Sequence, residues 1–212
     1  ETFSPSFRLY KWEGSWLSIG KNQKISRKWI HLSQQNKIKI VRRPTGGNAV
    51  LHSGGLSYSF VWSGTRKGKG KDYSDHCQWL LKGFKELGIS LRFGEEKQNL
   101  CLESCFASST KADLIDSFGN KCIGSAQLWK KKHLLQHGEI LLDPPKDLWI
   151  ELFGEDPPEC AISHIKKDDL EKLLIKSFTS NYPEINWIRK PLSKKELNYI
   201  STRSEDYIPK NN

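Results

Sequence analysis

The sequence predicts an α+β fold, a mixed, mostly antiparallel sheet flanked by helices. Two observations predict it. Runs that alternate in polarity, joined by short turn segments, dominate the first two-thirds of the 212-residue chain. Apolar residues spaced three and four apart then close it.

Phe7 to Gly20 is extended: Leu9, Tyr10, Trp12, Trp16, Leu17 and Ile19 mix aromatic and aliphatic residues, and Gly20 ends the run. Lys37 to Arg42 is a strand, with Ile38, Ile40 and Arg42 opposite Lys39 and Val41, and it enters a turn at Gly46-Gly47. Leu56 to Trp62 places Leu56, Tyr58, Phe60 and Trp62 on one face and Ser57, Ser59 and Val61 on the other. Gly64 to Lys71 is a Gly/Lys-rich loop, after which Asp72 or Ser74 caps a helix. Cys77, Leu80, Leu81, Phe84 and Leu87 form its core-facing stripe, and Gly88 stops it. Ile89 to Phe93, Ala112 to Ile115, Lys121 to Leu128 and Leu134 to Leu142 are further strands, with a hairpin turn at Phe118-Gly119-Asn120. Asp168 or Asp169 opens a helix with Leu170, Leu173, Leu174 and Phe178 inward. Ser193-Lys194-Lys195-Glu196 has the form of a capping box ahead of Leu197 and Ile200. A single domain over residues 1–200 with a polar C-terminal tail at 201–212 is expected.

A hydrophobic fraction of 36% supports a real core. No apolar run approaches the ~18 residues that a membrane span needs, so no membrane association is expected. Glu1 to Arg8 lacks the basic start and apolar stretch of a secretory leader. The cysteines (Cys77, Cys101, Cys105, Cys122 and Cys160) are odd in number. A disulfide framework is therefore not expected, and a cytoplasmic location is. Cys101 and Cys105 have the spacing of half a zinc site, but no second pair stands at ligand spacing, so no metal is expected. The net charge of +10 steers acidic partners toward the surface: nucleic acid, an acidic carrier protein or an acidic acceptor domain. A nucleic-acid module would interleave a basic stripe with aromatic platforms. Here lysine and arginine are spread throughout, so nucleic acid is not expected, and a monomer is.

The segment Arg42-Arg43-Pro44-Thr45-Gly46-Gly47-Asn48-Ala49-Val50-Leu51-His52 carries the chemistry. Adjacent glycines let backbone N–H groups approach a ligand closely. Flanking arginines can clamp a phosphate or carboxylate. From the residues alone the segment is either such an anion cradle or a hairpin turn flanked by solvated arginines.

This segment resembles the signature loop of the lipoate–protein ligase and octanoyltransferase superfamily, to which biotin ligases are related. Two more blocks follow the same order. Lys121-Cys122-Ile123-Gly124-Ser125-Ala126-Gln127 with Leu135-Gln136-His137-Gly138-Glu139-Ile140 resembles the family's lysine strand and its hairpin partner. Trp12-Glu13 through Trp16-Leu17-Ser18-Ile19-Gly20 and Gln23 resembles its early strand. The resemblance covers roughly Phe7 to Asp143. It implies a biotin/lipoate-ligase-like catalytic domain with an acyl tunnel beside the glycine loop. Lys121 matches the family's catalytic lysine, whose ammonium stabilises the oxyanion formed at the acyl carbonyl. Arg42, Arg43, Thr45, Gly46, Gly47, Asn48, Ala49, His52, Gly124, Ser125, Ala126, His137 and Gly138 match the ligand-binding positions. Asn48 departs from the usual Gly or Arg, and Cys122 from an aliphatic residue.

The superfamily divides by activation chemistry. Ligases adenylate free lipoate or octanoate with ATP and Mg²⁺. Transferases take octanoate from an octanoyl acyl carrier protein through a cysteine thioester and need no cofactor. Ser104-Cys105-Phe106-Ala107, sixteen residues before Lys121, resembles the octanoyl carrier protein:protein octanoyltransferase branch. In that reading Cys105 is the nucleophile, a nearby ammonium favours its thiolate, and a lysine of an acidic lipoyl-domain acceptor attacks the acyl-enzyme. Cys101 is the fallback nucleophile. Cys77 lies on a helix stripe and is inert. Cys122, adjacent to Lys121 on a strand, faces the other way. His52 and His137 are either bases for the incoming amine or hydrogen-bonded structural residues. The Lys130-Lys131-Lys132 hairpin tip is either solvated or a dock for an acidic carrier. A catalytically silent scaffold is the remaining class.

Overall fold

The structure, a computed structural model, describes residues 4–95, 103–107, 109–163, 165 and 167–209. Two sheets share the work. The larger has six strands in the order β1-β5-β9-β8-β7-β6, every pairing antiparallel. Its strands are β1 (Ser6–Tyr10), β5 (Leu56–Ser63), β6 (Arg92–Phe93), β7 (Leu114–Ile115), β8 (Lys121–Lys130) and β9 (His133–Ile140). The smaller has the order β3-β2-β4, from β2 (Trp16–Ile19), β3 (Lys39–Arg42) and β4 (Val50–His52). There β2 and β3 run parallel and β2 and β4 antiparallel. The expected mixed, mostly antiparallel sheet is thus present, but as two sheets. The extended run at Phe7–Gly20 divides between them because Gly14, at φ 78°, turns the chain where an L side chain would be strained.

Each sheet has its own helical cover. One core packs β5, β8 and β9 against α3 (Gln78–Glu86) and α5 (Lys167–Asn181). Leu170, Leu174 and Phe178 of α5 are buried as expected, and the Phe178 ring stacks on Phe7 at 3.8 Å. The second core packs β2 and β4 against α1 (Arg27–Gln34) and α4 (Lys146–Phe153). Sequence patterning missed both of these helices. Each has eight residues and buries two side chains, Trp29 and Leu32 in α1 and Trp149 and Leu152 in α4, too short a stripe to stand out.

The segment before α3 is also differently built. A helix α2 (Lys69–His76) begins earlier than expected, and the chain breaks at Cys77 before α3 restarts. Asp72 does not cap from the first position: its carboxylate sits one turn inside and accepts the Lys67 N–H at 2.9 Å. Leu87 is 40% exposed, and Trp79 occupies the core in its place. The strands expected at Ile89–Phe93 and Ala112–Ile115 shrink to two residues each. The ladder is irregular at Leu114/Ile115, and Asp113 turns aside to accept from the Thr110 N–H and hydroxyl. The capping box at Ser193 and Glu196 forms and starts α6 (Lys194–Arg203), yet α6 buries no residue. The expected boundary at residue 200 falls inside α6. A 3₁₀ turn at Ser204–Tyr207 then brings Tyr207 to the rim of the central cavity. Among the described residues no helix is long and apolar enough to cross a membrane.

Candidate active site

Between the two sheets lies a cavity of about 840 Å³, within the roughly 300–1,000 Å³ of small-molecule sites. Its walls come from β2, β3 and β4 on one side and β8 and β9 on the other, and the glycine loop forms one rim.

The loop is held from behind by its own arginines. Arg42 donates to the carbonyls of Gly20, Lys21 and Gln23 at 2.9, 3.2 and 2.8 Å. Buried Arg43 donates to the carbonyls of Ser18, Gly46 and Asn48 at 2.8, 2.8 and 2.7 Å. Both guanidiniums border the cavity and spend these donors on backbone carbonyls. Loop carbonyls without a strand partner need donors, and a guanidinium supplies several from one side chain. Gly47 takes φ 97°, and its carbonyl passes so close to Gly20 that a Cβ there would lie 1.9 Å from the oxygen. Gly20→Ala is therefore expected to cost about 1–3 kcal/mol, the usual penalty of overpacking. Urea denaturation would check this, and an unchanged midpoint would show that the loop yields freely.

Thr45 and Ala49 serve the cavity without lining it. The Thr45 hydroxyl bonds His137 Nε2 at 2.7 Å and ties the loop to β9. Fully buried Ala49 donates its N–H to Glu103 O at 2.9 Å and accepts the Cys105 N–H at 2.8 Å. The motif alanine thereby fixes the turn that presents Cys105. Asn48 is buried with its backbone clasped by Arg43, and it borders the cavity.

Cys105 begins a 3₁₀ turn whose Phe106 is buried against Trp149. Lys121, 4% exposed, reaches from the start of β8 into this corner. Its Nζ donates to Cys105 O at 2.7 Å and to Cys105 Sγ at 3.3 Å, pairs with Asp113 Oδ2 at 2.9 Å, and lies over the Phe106 ring at 5.3 Å. Burial pulls the lysine down, but the Cys105 and Asp113 charges overcome it and raise its pKa above the ordinary value. The ammonium form is thereby favoured, and it lies within reach of the Cys105 sulfur at the cavity wall. A side chain at Gly124 would crowd Lys121 Cε at 3.3 Å, so the glycine gives the lysine its path. Ser125 and Ala126 continue the wall opposite Gly138 and His137. A Cβ at Gly138 would lie 2.4 Å from Gly124 O and 2.5 Å from the Tyr58 ring.

The other thiols are poor competitors. Cys77 is buried, and burial pushes its thiol up to about 11. Cys122 is fully buried in the core, on the opposite side of β8 from the Lys121 ammonium, and fills the place of an aliphatic side chain. Cys160 is drawn down to about 7, chiefly by hydrogen bonding with Cys122, but it is buried in the core and does not border the cavity. These three and Cys105 are free thiols. Cys101 lies outside the described residues. Among the described residues no group of three or more His, Cys, Asp or Glu is placed to hold a metal.

The two histidines have different surroundings. His52 Nδ1 meets Glu139 Oε2 at 2.7 Å, its Nε2 meets Ser18 Oγ at 2.8 Å, and the Trp12 ring stacks on it at 4.5 Å. His137 is pushed down to about 3 by burial first and by the Arg43 charge next. An unfolded histidine takes a proton below about 6.5, and folded His137 refuses it. Its stabilising contribution is thus full above that value and is lost as pH falls toward 3. Because the ring borders a cavity, the loss expected by pH 5 is about 1–2 kcal/mol. Urea unfolding at pH 7 and pH 5 would measure it, and His137→Gln should flatten the difference.

Patterning did not single out Asp113, Ser18 or Glu139. Asp113 carried a signal, an acid inside an otherwise apolar strand. Ser18 and Glu139 lay within the motif blocks but gave no sign of facing inward.

Residues 2–161 match the lipoyl protein ligase A/B catalytic domain. The chain belongs to that family. Octanoyltransferase LipM of Geobacillus kaustophilus (strain HTA426) is 34% identical over 181 residues, which cover 79% of this chain and 64% of the relative. Octanoyltransferase LipM of Brevibacillus brevis (strain 47) is 34% identical over 207 residues, covering 91% and 71%. The chain spans less than two-thirds of the first of these relatives and 59% of the LipM of Halalkalibacterium halodurans. The bipartite lipoate protein ligase of Thermoplasma acidophilum shares the fold, with a TM-score of 0.75 at 19% identity over 96% of this chain and 80% of that one. The two-sheet arrangement is thus shared with a solved lipoate protein ligase.

Proposed function

We propose that this chain transfers an octanoyl group from the thioester of an acyl carrier protein to a lysine of a lipoyl-domain protein. The observation that carries the reading is the Lys121 ammonium, held 3.3 Å from the Cys105 sulfur at the wall of the cavity. The Cys105 thiolate attacks the carrier's thioester carbonyl, a new C–S bond forms, and the carrier thiol leaves with the electron pair of the old one. The acceptor amine then attacks the Cys105 thioester, the C–N bond forms, and the Cys105 thiolate departs. Lys121 faces the oxyanion in both steps. The relatives named octanoyltransferase LipM support this reading over lipoyl transfer. The exposed Lys130-Lys131-Lys132 tip and the +10 charge suit an acidic carrier and an acidic acceptor.

The ligase alternative would need ATP and Mg²⁺. The test is intact mass spectrometry after incubation with octanoyl carrier protein, or with octanoate, ATP and Mg²⁺. An octanoyl adduct from the carrier alone, discharged by a lipoyl domain, is the expected result. Transfer that requires ATP would replace it with the ligase reaction, and inertness in both would leave a scaffold.

A further inference from the structure

The second half-reaction has a proton to place. A free lysine amine has a pKa near 10.4, so the acceptor arrives largely as an ammonium and must lose a proton to attack. The obvious cavity groups cannot take it. Arg43 stays charged. Lys121 is already an ammonium, with its pKa raised and its charge matched by Asp113. His137 is held neutral far below the working range.

One buried set of groups on the cavity wall is linked by hydrogen bonds that can run in a single direction. Arg43 Nη1 lies 3.5 Å from Ser18 Oγ and donates to it. The Ser18 proton is left to point at His52 Nε2, 2.8 Å away. A neutral imidazole that donates from Nδ1 to Glu139 Oε2, 2.7 Å away, leaves Nε2 to accept from Ser18. The Ser57 hydroxyl also donates to Glu139, and Trp12 Nε1 donates to Ser57 Oγ at 2.9 Å. Trp12 stacks on the outer face of the imidazole, and Ser18, His52 and Glu139 all border the cavity that holds Cys105 and Lys121. A hydroxyl, an imidazole and a buried carboxylate in this order form a relay able to take up one proton.

We infer that Ser18, His52 and Glu139 are the proton relay for the acceptor amine, an inference that rests on the octanoyl transfer proposed above. As the acceptor approaches the thioester, one ammonium proton passes to Ser18 Oγ and the Ser18 proton to His52 Nε2, which frees the lone pair that forms the C–N bond. Glu139 balances the imidazolium. The C–S bond breaks with its electron pair on Cys105 Sγ, the second nitrogen proton leaves to solvent, and the imidazolium returns its own proton to solvent. Ser18 meets the amine, whereas His52 and Glu139 act through it as positioning residues.

The test separates the half-reactions. Enzyme pre-loaded with octanoyl at Cys105 is mixed, in single-turnover format, with a lipoyl domain or with hydroxylamine, which is uncharged at neutral pH and needs no proton removed before it attacks. His52→Gln and the near-isosteric Glu139→Gln are expected to slow transfer to the lipoyl domain about 100-fold, and Ser18→Ala about tenfold or more. Release by hydroxylamine is expected to stay within a few-fold of the parent. Equal losses with both nucleophiles would mean that the network only supports the fold, and would overturn the relay. Full-speed transfer in all three variants would overturn it as well. Failure of the parent enzyme to form the Cys105 adduct would remove the proposed function, and the relay with it.

Discussion

Cys105→Ala is expected to abolish the octanoyl adduct and to lower acyl transfer by about a thousandfold or more, the usual scale for loss of a nucleophile, with little change in stability. The two effects separate because of how Lys121 is held. It donates to the Cys105 backbone oxygen at 2.7 Å and pairs with Asp113 at 2.9 Å, and neither contact uses the sulfur. The turn itself is set by the Ala49 O to Cys105 N–H bond and by buried Phe106. Alanine leaves all of these in place, so the change in unfolding free energy should stay within about 1 kcal/mol. Cys77→Ala should do the reverse. It removes a fully buried thiol that accepts from Gln136 at 3.2 Å, so it should cost stability and leave the adduct in place. Intact mass and urea denaturation read the two properties independently. An adduct that survives Cys105→Ala would end the assignment, and peptide mapping that placed it on Cys101 would transfer the role there.

The sheet was legible because its strands advertise themselves. Leu56, Tyr58 and Phe60 alternate with Ser57 and Ser59, and all three are buried, as the pattern requires. The helix stripe from Leu170 to Phe178 worked for the same reason. What escaped was whatever depends on where backbone carbonyls end up. Arg42 and Arg43 beside two glycines suggest an anion cradle by composition, yet in the folded loop they donate to the carbonyls of Gly20, Gly46 and Asn48. The Cys105–Lys121 corner became visible through its likeness to a family, not through spacing, since sixteen residues of separation say nothing about contact. Asp113 and Glu139 were hidden by the same limit. A buried acid is recognisable by its partner, and the partners Lys121 and His52 lie on other strands.

Lys121 is where stability and chemistry are joined most tightly, and Lys121→Met is expected to injure both. Removing one member of a buried ion pair leaves the other charged and uncompensated, at a cost of about 3–5 kcal/mol. The lower end is expected here, because Asp113 keeps its bonds from the Thr110 N–H and hydroxyl and a longer one from the Ser125 N–H. Transfer should fall about 100- to 1,000-fold from loss of the oxyanion partner. Asp113→Leu added to Lys121→Met removes the orphaned carboxylate, so the double variant should regain part of the stability and none of the activity. That split is the signature of a catalytic cation, since a merely structural pair would recover both together. The alkaline limb gives a second reading. Because the folded pKa of Lys121 is raised, its contribution is complete below the unfolded lysine value, near 10.4, and is lost as pH rises beyond it through the folded value. The parent should therefore lose stability in that window, and Lys121→Met should lose less. Equal alkaline slopes in urea titrations would show that Lys121 is not held as an ammonium, and would remove the oxyanion role with it.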